Sequence, residues 1–173
     1  VAAVASFLDA RQNRGAWHLR IDDIDPPRQI NGSVEGILST LIQHGLQWDG
    51  PVAYQSHSAP AYEQALQQLE DDGWLFRCLC TRPHLNALGA CGQNCQEISI
   101  DREAPHSLRV RVKVGDMCGF EDGFLSFQPV VENDIPADFI VRRRDGLFAY
   151  QLAAAIDDAI PRHTHVLRGA DLL

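Results

Sequence analysis

Apolar positions at helical spacing open the chain. Val1, Val4, Ala5 and Leu8 fall at i, i+3, i+4 and i+7 and predict an amphipathic helix ending in the polar turn Gln12-Asn13-Arg14-Gly15. The period then changes. Trp17, Leu19 and Ile21 alternate with His18 and Arg20, as in a half-buried strand. Pro26-Pro27 stops it, because proline has no N–H and a fixed φ. Helical spacing returns with Val34, Ile37, Leu38, Leu41 and Ile42, capped by Asn31 or Ser33 and stopped at Gly45. A turn over 46–51 and a short extended piece, Val52 to Ser56, lead to a helix that starts near Pro60, buries Tyr62, Ala65, Leu66 and Leu69, and ends at Gly73. Strand, helix, extended segment, helix in this order predicts an α/β sheet with crossover connections.

The pattern changes character after Trp74. Cys78 to Cys95 is turn-rich, and β signals follow at Leu108–Val112, Phe124–Phe127 and Phe139–Val141. Asp145-Gly146 reads as a hairpin turn, Tyr150–Asp158 as a short helix with Leu152, Ala155 and Ile156 inward, and His163–Arg168 as a last strand. We therefore expect a first part of an α/β domain over 1–76, a β-rich insertion over 77–138, and a second part over 139–173. Val1 to Leu8 already reads as the middle of a helix, and Gly169 to Leu173 as a turn and the start of another. The expectation is a chain cut from the interior of a longer protein.

Composition narrows this picture. A net charge of −8 and a pI near 5.2 argue against indiscriminate binding to nucleic acid or membrane. No run of 18 apolar residues exists. Of 15 basic residues all but Lys113 are arginine, the better side chain for bidentate carboxylate and phosphate contacts. Asp22, Asp23 and Asp25 sit just past a strand, where open α/β sheets hold ligand-contacting residues. Three acids so close repel unless a cation, an amino group or a helix N-terminus neutralises them. The plain alternative is an Asx-rich turn that caps the next helix.

Cys78-Leu79-Cys80 and Cys91-Gly92-Gln93-Asn94-Cys95 are two close pairs on a short loop, the spacing of a structural zinc knuckle. Four thiolates close the coordination shell, so the metal is structural rather than catalytic. His84 can replace one cysteine; two disulfides or free thiols are the alternatives. Cys118 is expected to be a free structural thiol.

Leu19-Arg20-Ile21-Asp22-Asp23-Ile24-Asp25-Pro26-Pro27-Arg28 resembles the R-I-E-D-I-D-P-P-R block of class I aminoacyl-tRNA synthetases of the glutamyl type. His44 to Pro51 resembles that family's H-G-L-x-W-D-G-P, Cys78-Leu79-Cys80-Thr81-Arg82 the opening of its zinc site, and Asp145–Ala153 and His165–Leu173 its two later blocks. Within the family the chain is most similar to the truncated branch that acts on tRNA(Asp) and lacks an anticodon-binding domain. The fold this implies is α/β: a Rossmann-like class I synthetase catalytic core with a zinc-binding, β-rich insertion.

The resemblance also implies a reaction. Glutamate and ATP, with Mg2+, give glutamyl-adenylate, and the glutamyl group passes to queuosine at the wobble position of tRNA(Asp). Asp22 takes the substrate's amino group, Arg168 its side-chain carboxylate, and Tyr150 offers a hydroxyl. Asp171 meets the ATP ribose. Cys78, Cys80, Cys91 and Cys95 hold Zn2+. The plain alternatives are an ion pair of Arg168 with Asp171 or Asp22, a core role for Tyr150 and a helix cap for Asp171. Asp22 stands where the family usually has glutamate, and Cys91 about where it often has a tyrosine. Both ATP signature segments, the H-I-G-H-like and K-M-S-K-S-like ones, would lie outside 1–173, so the chain alone is expected not to activate an amino acid. The expected setting is cytoplasmic, away from membranes and monomeric. Arg142-Arg143-Arg144 is a candidate for tRNA phosphate contact or simply a solvated face, and His163 and His165 carry no assigned chemistry. Two rivals remain: a piece of a conventional glutamyl-tRNA synthetase, and a non-catalytic zinc-bearing nucleic-acid-binding paralogue.

Overall fold

Two strands of two residues each, Arg20–Ile21 (β1) and Ala53–Tyr54 (β2), pair in parallel, with Arg20 opposite Ala53 and Ile21 opposite Tyr54. The structure is a computed structural model and describes residues 1–101, 103–113, 119–130, 135–161 and 163–169. The chain divides into two compact units, Val1–Tyr62 with Ala153–Leu173, and Glu63–Leu152.

In the first unit, helix α1 (Ala2–Gln12) precedes β1, and helix α2 (Ser33–Gln43) connects β1 to β2. Parallel strands need such a crossover, because a tight turn can only reverse the chain. Backbone bonds from Asp49 to Trp17 (2.8 Å) and from Ala53 to Leu19 (2.9 Å) carry the pairing back before β1, so the alternating segment is extended although little of it is ladder. Trp17 anchors α1. Its buried indole donates to Ser6 Oγ at 3.0 Å and meets Phe7 edge-on at 5.3 Å. The expected stripe of Val1, Val4 and Leu8 is exposed instead, because the side of α1 carrying Ser6 and Phe7 is the one that meets Trp17. On α2, Val34, Leu38 and Leu41 are half-buried, whereas Ile37 and Ile42 are exposed. The helix starts after Gly32, whose φ of 79° lies in the left-handed region, and no side chain caps it. The expected cap at Asn31 or Ser33 is therefore replaced by a backbone that glycine adopts without a Cβ clash.

A 3₁₀ turn over Gln55–Ser58 leads into helix α3 (Ala59–Asp71), whose Tyr62 and Leu66 are buried as the spacing predicts. Helix α4 (Tyr150–Ala159) buries Leu152, Ala153, Ala154 and Asp157, while Ala155 is exposed. The expected inward Ala155 is thus corrected. Residues 163–169 run without ladder pairing, so the expected strand His163–Arg168 is an irregular segment.

The second unit is built on an antiparallel sheet ordered β3 (Leu75–Cys78), β4 (Ser107–Arg111), β7 (Asp138–Arg142). A separate hairpin joins β5 (Gly119–Asp122) and β6 (Ser126–Pro129), two residues later than the Phe124–Phe127 pattern suggested. Asp122 explains the shift: its carboxylate accepts the Phe124 and Leu125 N–H groups at 2.8 and 2.7 Å and turns that segment into the bend. Among the described residues no helix is long and apolar enough to cross a membrane. Cys118 and Asp171 lie outside the described residues.

Candidate functional site

The cysteine cluster sits at the end of β3. That strand delivers Cys78, and the loop over 79–95 returns Cys91 and Cys95 beside Cys80. All four Sγ atoms lie within 4.8 Å of one another, with Cys80 at 3.6 Å from Cys91 and 3.8 Å from Cys95. A tetrahedral zinc with bonds of about 2.3 Å sets its sulfurs roughly 3.8 Å apart, whereas a disulfide needs about 2.05 Å. The cysteines are free, and their spacing fits the metal and excludes the disulfide alternative among them. Burial pushes the Cys78 thiol up. At Cys91 burial also works upward, but hydrogen bonds with the backbone of Gln93 and Cys95 and with the neighbouring thiols outweigh it and hold the thiol below its ordinary value. His84 points elsewhere, its ring 3.1 Å from Thr81 Oγ1.

Two further features shape the loop, and sequence reading missed both. Gly92 approaches His84 so closely that a Cβ there would lie 2.4 Å from the His84 carbonyl oxygen. Asp138 on β7 is 1% exposed; it pairs with the equally buried Arg109 of β4 and accepts the Cys91 N–H at 3.1 and 3.2 Å. A buried ion pair thereby ties the sheet to one of the thiol-bearing residues. The signal available in sequence was no more than an arginine and an aspartate within strand patterns that also carry exposed-type polar residues.

In the first unit each carboxylate of the acidic tip has its own partner. Asp22 accepts from Arg20 at 2.7 Å, Asp25 pairs with Arg28 at 3.2 Å, and Asp23 accepts the Ser56 N–H (2.8 Å) and hydroxyl (2.6 Å). Asp23 caps the 3₁₀ turn after β2, not α2. Arg20 reaches further: it also donates to Asp158 of α4 at 2.9 Å, and Asp158 in turn accepts from Arg168. Asp22, Arg20, Asp158 and Arg168 form one chain of alternating charge. Burial works to lower the Arg20 pKa, but its hydrogen bonds to Asp22 and Asp158 outweigh that and raise it. Arg168 therefore has an ion-pair partner, but it is Asp158 rather than Asp22. Tyr150 opens α4 in the second unit and is 42% exposed, which removes the core-aromatic alternative.

One residue before Asp158 the chemistry is different. Asp157 is buried and accepts Gln55 Nε2 at 2.8 Å and the Tyr62 hydroxyl at 2.6 Å on the same oxygen. Burial first, and then that hydrogen bond, raise the Tyr62 phenol. Adjacent acids on one helix thus serve a buried hydrogen-bonded network and a part-exposed ion-pair network.

The model of the class I tRNA synthetase (E and Q) catalytic domain matches residues 1–173, and the chain belongs to that family. It is 42% identical to the Glutamyl-Q tRNA(Asp) synthetase of Photorhabdus laumondii and 43% identical to that of Yersinia pestis, in each case along its whole length. The chain spans 54% of each of these relatives, about half their length. Among solved structures, a glutamate tRNA ligase from Elizabethkingia meningosepticum in complex with its amino acid superposes with a TM-score of 0.76, at 23% identity over 95% of this chain and 39% of that one. The glutamate-tRNA synthetase of Elizabethkingia anophelis gives 0.77 at the same identity, covering 95% of this chain and 40% of its own. The α/β synthetase fold expected from the sequence is borne out.

Proposed function

We propose that the protein carrying this chain activates glutamate with ATP and transfers the glutamyl group to queuosine at the wobble position of tRNA(Asp). The observation that carries this is whole-chain identity near 40% to relatives bearing that name. In the first step a glutamate carboxylate oxygen attacks the α-phosphorus of ATP and pyrophosphate leaves. In the second a queuosine hydroxyl attacks the activated carbonyl and AMP leaves. No covalent enzyme intermediate is needed; positioning and charge stabilisation supply the catalysis.

In this reading Asp22 receives the substrate's ammonium group, Arg168 grips its side-chain carboxylate, and Tyr150 donates its hydroxyl. Arg168 uses one terminal nitrogen on Asp158, so the rest of its fork can meet a ligand. A cationic guanidinium and a phenol select glutamate over glutamine, because an amide cannot return the charge. Asp22 is about one methylene shorter than the family's usual glutamate, a withdrawal of ~1.5 Å that a water can bridge. Asp171, with the ATP ribose as its partner, lies outside the described residues. Cys78, Cys80, Cys91 and Cys95 hold a structural zinc ion, which orders a loop with little core of its own. Residues 77–138 serve as the zinc-bearing insertion between the two parts of the catalytic domain, in a cytoplasmic, monomeric enzyme.

The test is glutamate-dependent ATP–pyrophosphate exchange together with charging of tRNA(Asp) with and without queuosine. We expect exchange, and charging only where queuosine is present. Glutamate on the terminal adenosine instead identifies a conventional glutamyl-tRNA synthetase. A lack of exchange at saturating ATP identifies the non-catalytic paralogue.

A further inference from the structure

We propose that the second unit carries a phosphodiester-binding pocket for RNA, built on Arg142-Arg143-Arg144 and resting on the tRNA reading above. A cavity of about 330 Å³ opens here, lined by Ala104, His106, Arg142, Arg143, Arg144 and Gly146 among others. It owes its shape to the end of β7. The chain leaves the sheet at Arg142 and turns back through Arg143 N–H to Leu147 (2.8 Å) and Gly146 N–H to Arg143 (3.0 Å). Three consecutive guanidinium groups therefore spread from one turn.

Two of the three are balanced and held. Arg142 pairs with Glu63 at 3.0 Å, donates to the Gly146 carbonyl at 3.1 Å and lies over the Phe148 ring at 5.3 Å. Arg143 pairs with Asp145 at 2.6 Å. Arg144 is different. It is exposed, it donates to the Leu79 carbonyl at 2.6 Å, and among the described residues no carboxylate pairs with it. A carbonyl orients a guanidinium without cancelling its charge. Arg144 thus places a cation that no described carboxylate cancels on a chain whose total is −8. His106 adds to the wall, its Nδ1 held by the Ala104 carbonyl at 2.6 Å, so that Nδ1 is the donor.

The ligand that fits is a chain of phosphates. A guanidinium fork matches phosphate oxygens bidentately, and Arg144 keeps donors beyond the one it gives to the Leu79 carbonyl. The cavity is open and far larger than one phosphate group, and an RNA backbone offers successive anions to successive arginines. An acidic protein that must still dock a polyanion needs such a local reversal of sign.

The experiment uses the protein carrying this chain and measures tRNA(Asp) binding against salt for wild type, Arg144→Glu and Ala104→Glu. Pyrophosphate exchange and bound zinc are followed alongside. Ala104→Glu places a carboxylate in the cavity wall and leaves every arginine contact in place. Both variants should lose tRNA affinity by about tenfold at ~0.1 M salt with a salt slope shallower by about 1, while exchange and zinc stay as in wild type. Unchanged affinity in Ala104→Glu overturns the pocket, even if Arg144→Glu disturbs Leu79 and the cysteine loop. Inorganic phosphate that competes with tRNA at matched ionic strength identifies a free-phosphate site and overturns the RNA assignment. Exchange missing from wild type, with tRNA loss still seen in Ala104→Glu, fails the catalytic reading and leaves the pocket standing.

Discussion

The cysteine loop and the acidic tip both gather like groups that should avoid one another, and they solve the problem in opposite ways. The loop buries Cys78 and Cys95 and is held by an ion pair, Arg109–Asp138, from which water is excluded. The tip keeps its charges part-exposed and gives each carboxylate a separate partner, with Asp22 and Arg168 joined through Arg20 and Asp158. Buried charges are costly to separate, because the survivor cannot recover its solvation. Exposed pairs cost little to break, so an incoming ligand can replace them. One region is suited to hold a shape and the other to exchange partners.

The largest effect should come from emptying the loop. Four-thiolate zinc binding is worth on the order of 10 kcal/mol in small zinc domains. Elemental analysis should find one zinc per chain, and chelation or Cys95→Ser should remove it with a marked fall in melting temperature. A chain that loses no stability on chelation would make the two regions alike. Next comes Asp138→Asn, which leaves Arg109 buried and unpaired and loosens the Cys91 N–H contact. We expect a loss of about 3–5 kcal/mol by denaturant unfolding.

Asp158→Asn tests the tip. Its carboxylate is part-exposed, so stability should change by less than about 1 kcal/mol. The KM for glutamate should rise several-fold, because Arg168 and Arg20 lose the group that orients them. A KM that falls would show Asp158 competing with substrate. The smallest effect concerns Asp49. The Arg11 hydrogen bond first, and then the Trp17 N–H, hold this carboxyl below its ordinary value. It therefore binds its proton less readily folded than unfolded. Its stabilisation is complete above the unfolded carboxylate pKa of about 3.9 and is lost as pH falls below it. In acid titrations followed by circular dichroism, Asp49→Asn should lower stability slightly at neutral pH and flatten the acid limb, so that the two proteins converge as pH falls.

Local signals were legible wherever one residue type had one consequence. The cysteine spacing marked the loop, Pro26-Pro27 ended the first extended segment, and Tyr62 and Leu66 followed the helical period into burial. The family blocks marked the synthetase fold, since several long blocks in order are far more specific than a short motif. Which apolar residues stay outside was not legible. Val4, Leu8, Ile37 and Ile42 repeat at helical spacing yet are exposed, because periodicity defines a stripe but not whether anything covers it. His163–Arg168 alternates like a strand but lacks a ladder partner, and a strand is a property of two segments. Partner choice belonged to the tertiary structure as well. Arg168 with Asp158, Asp138 with Arg109 and Cys91, and Asp157 with Gln55 and Tyr62 join residues 10 to 102 positions apart. Sequence alone determined the chemistry available to this chain. Folding decided which charges meet and in how much water, and the strength of a charge pair depends on both.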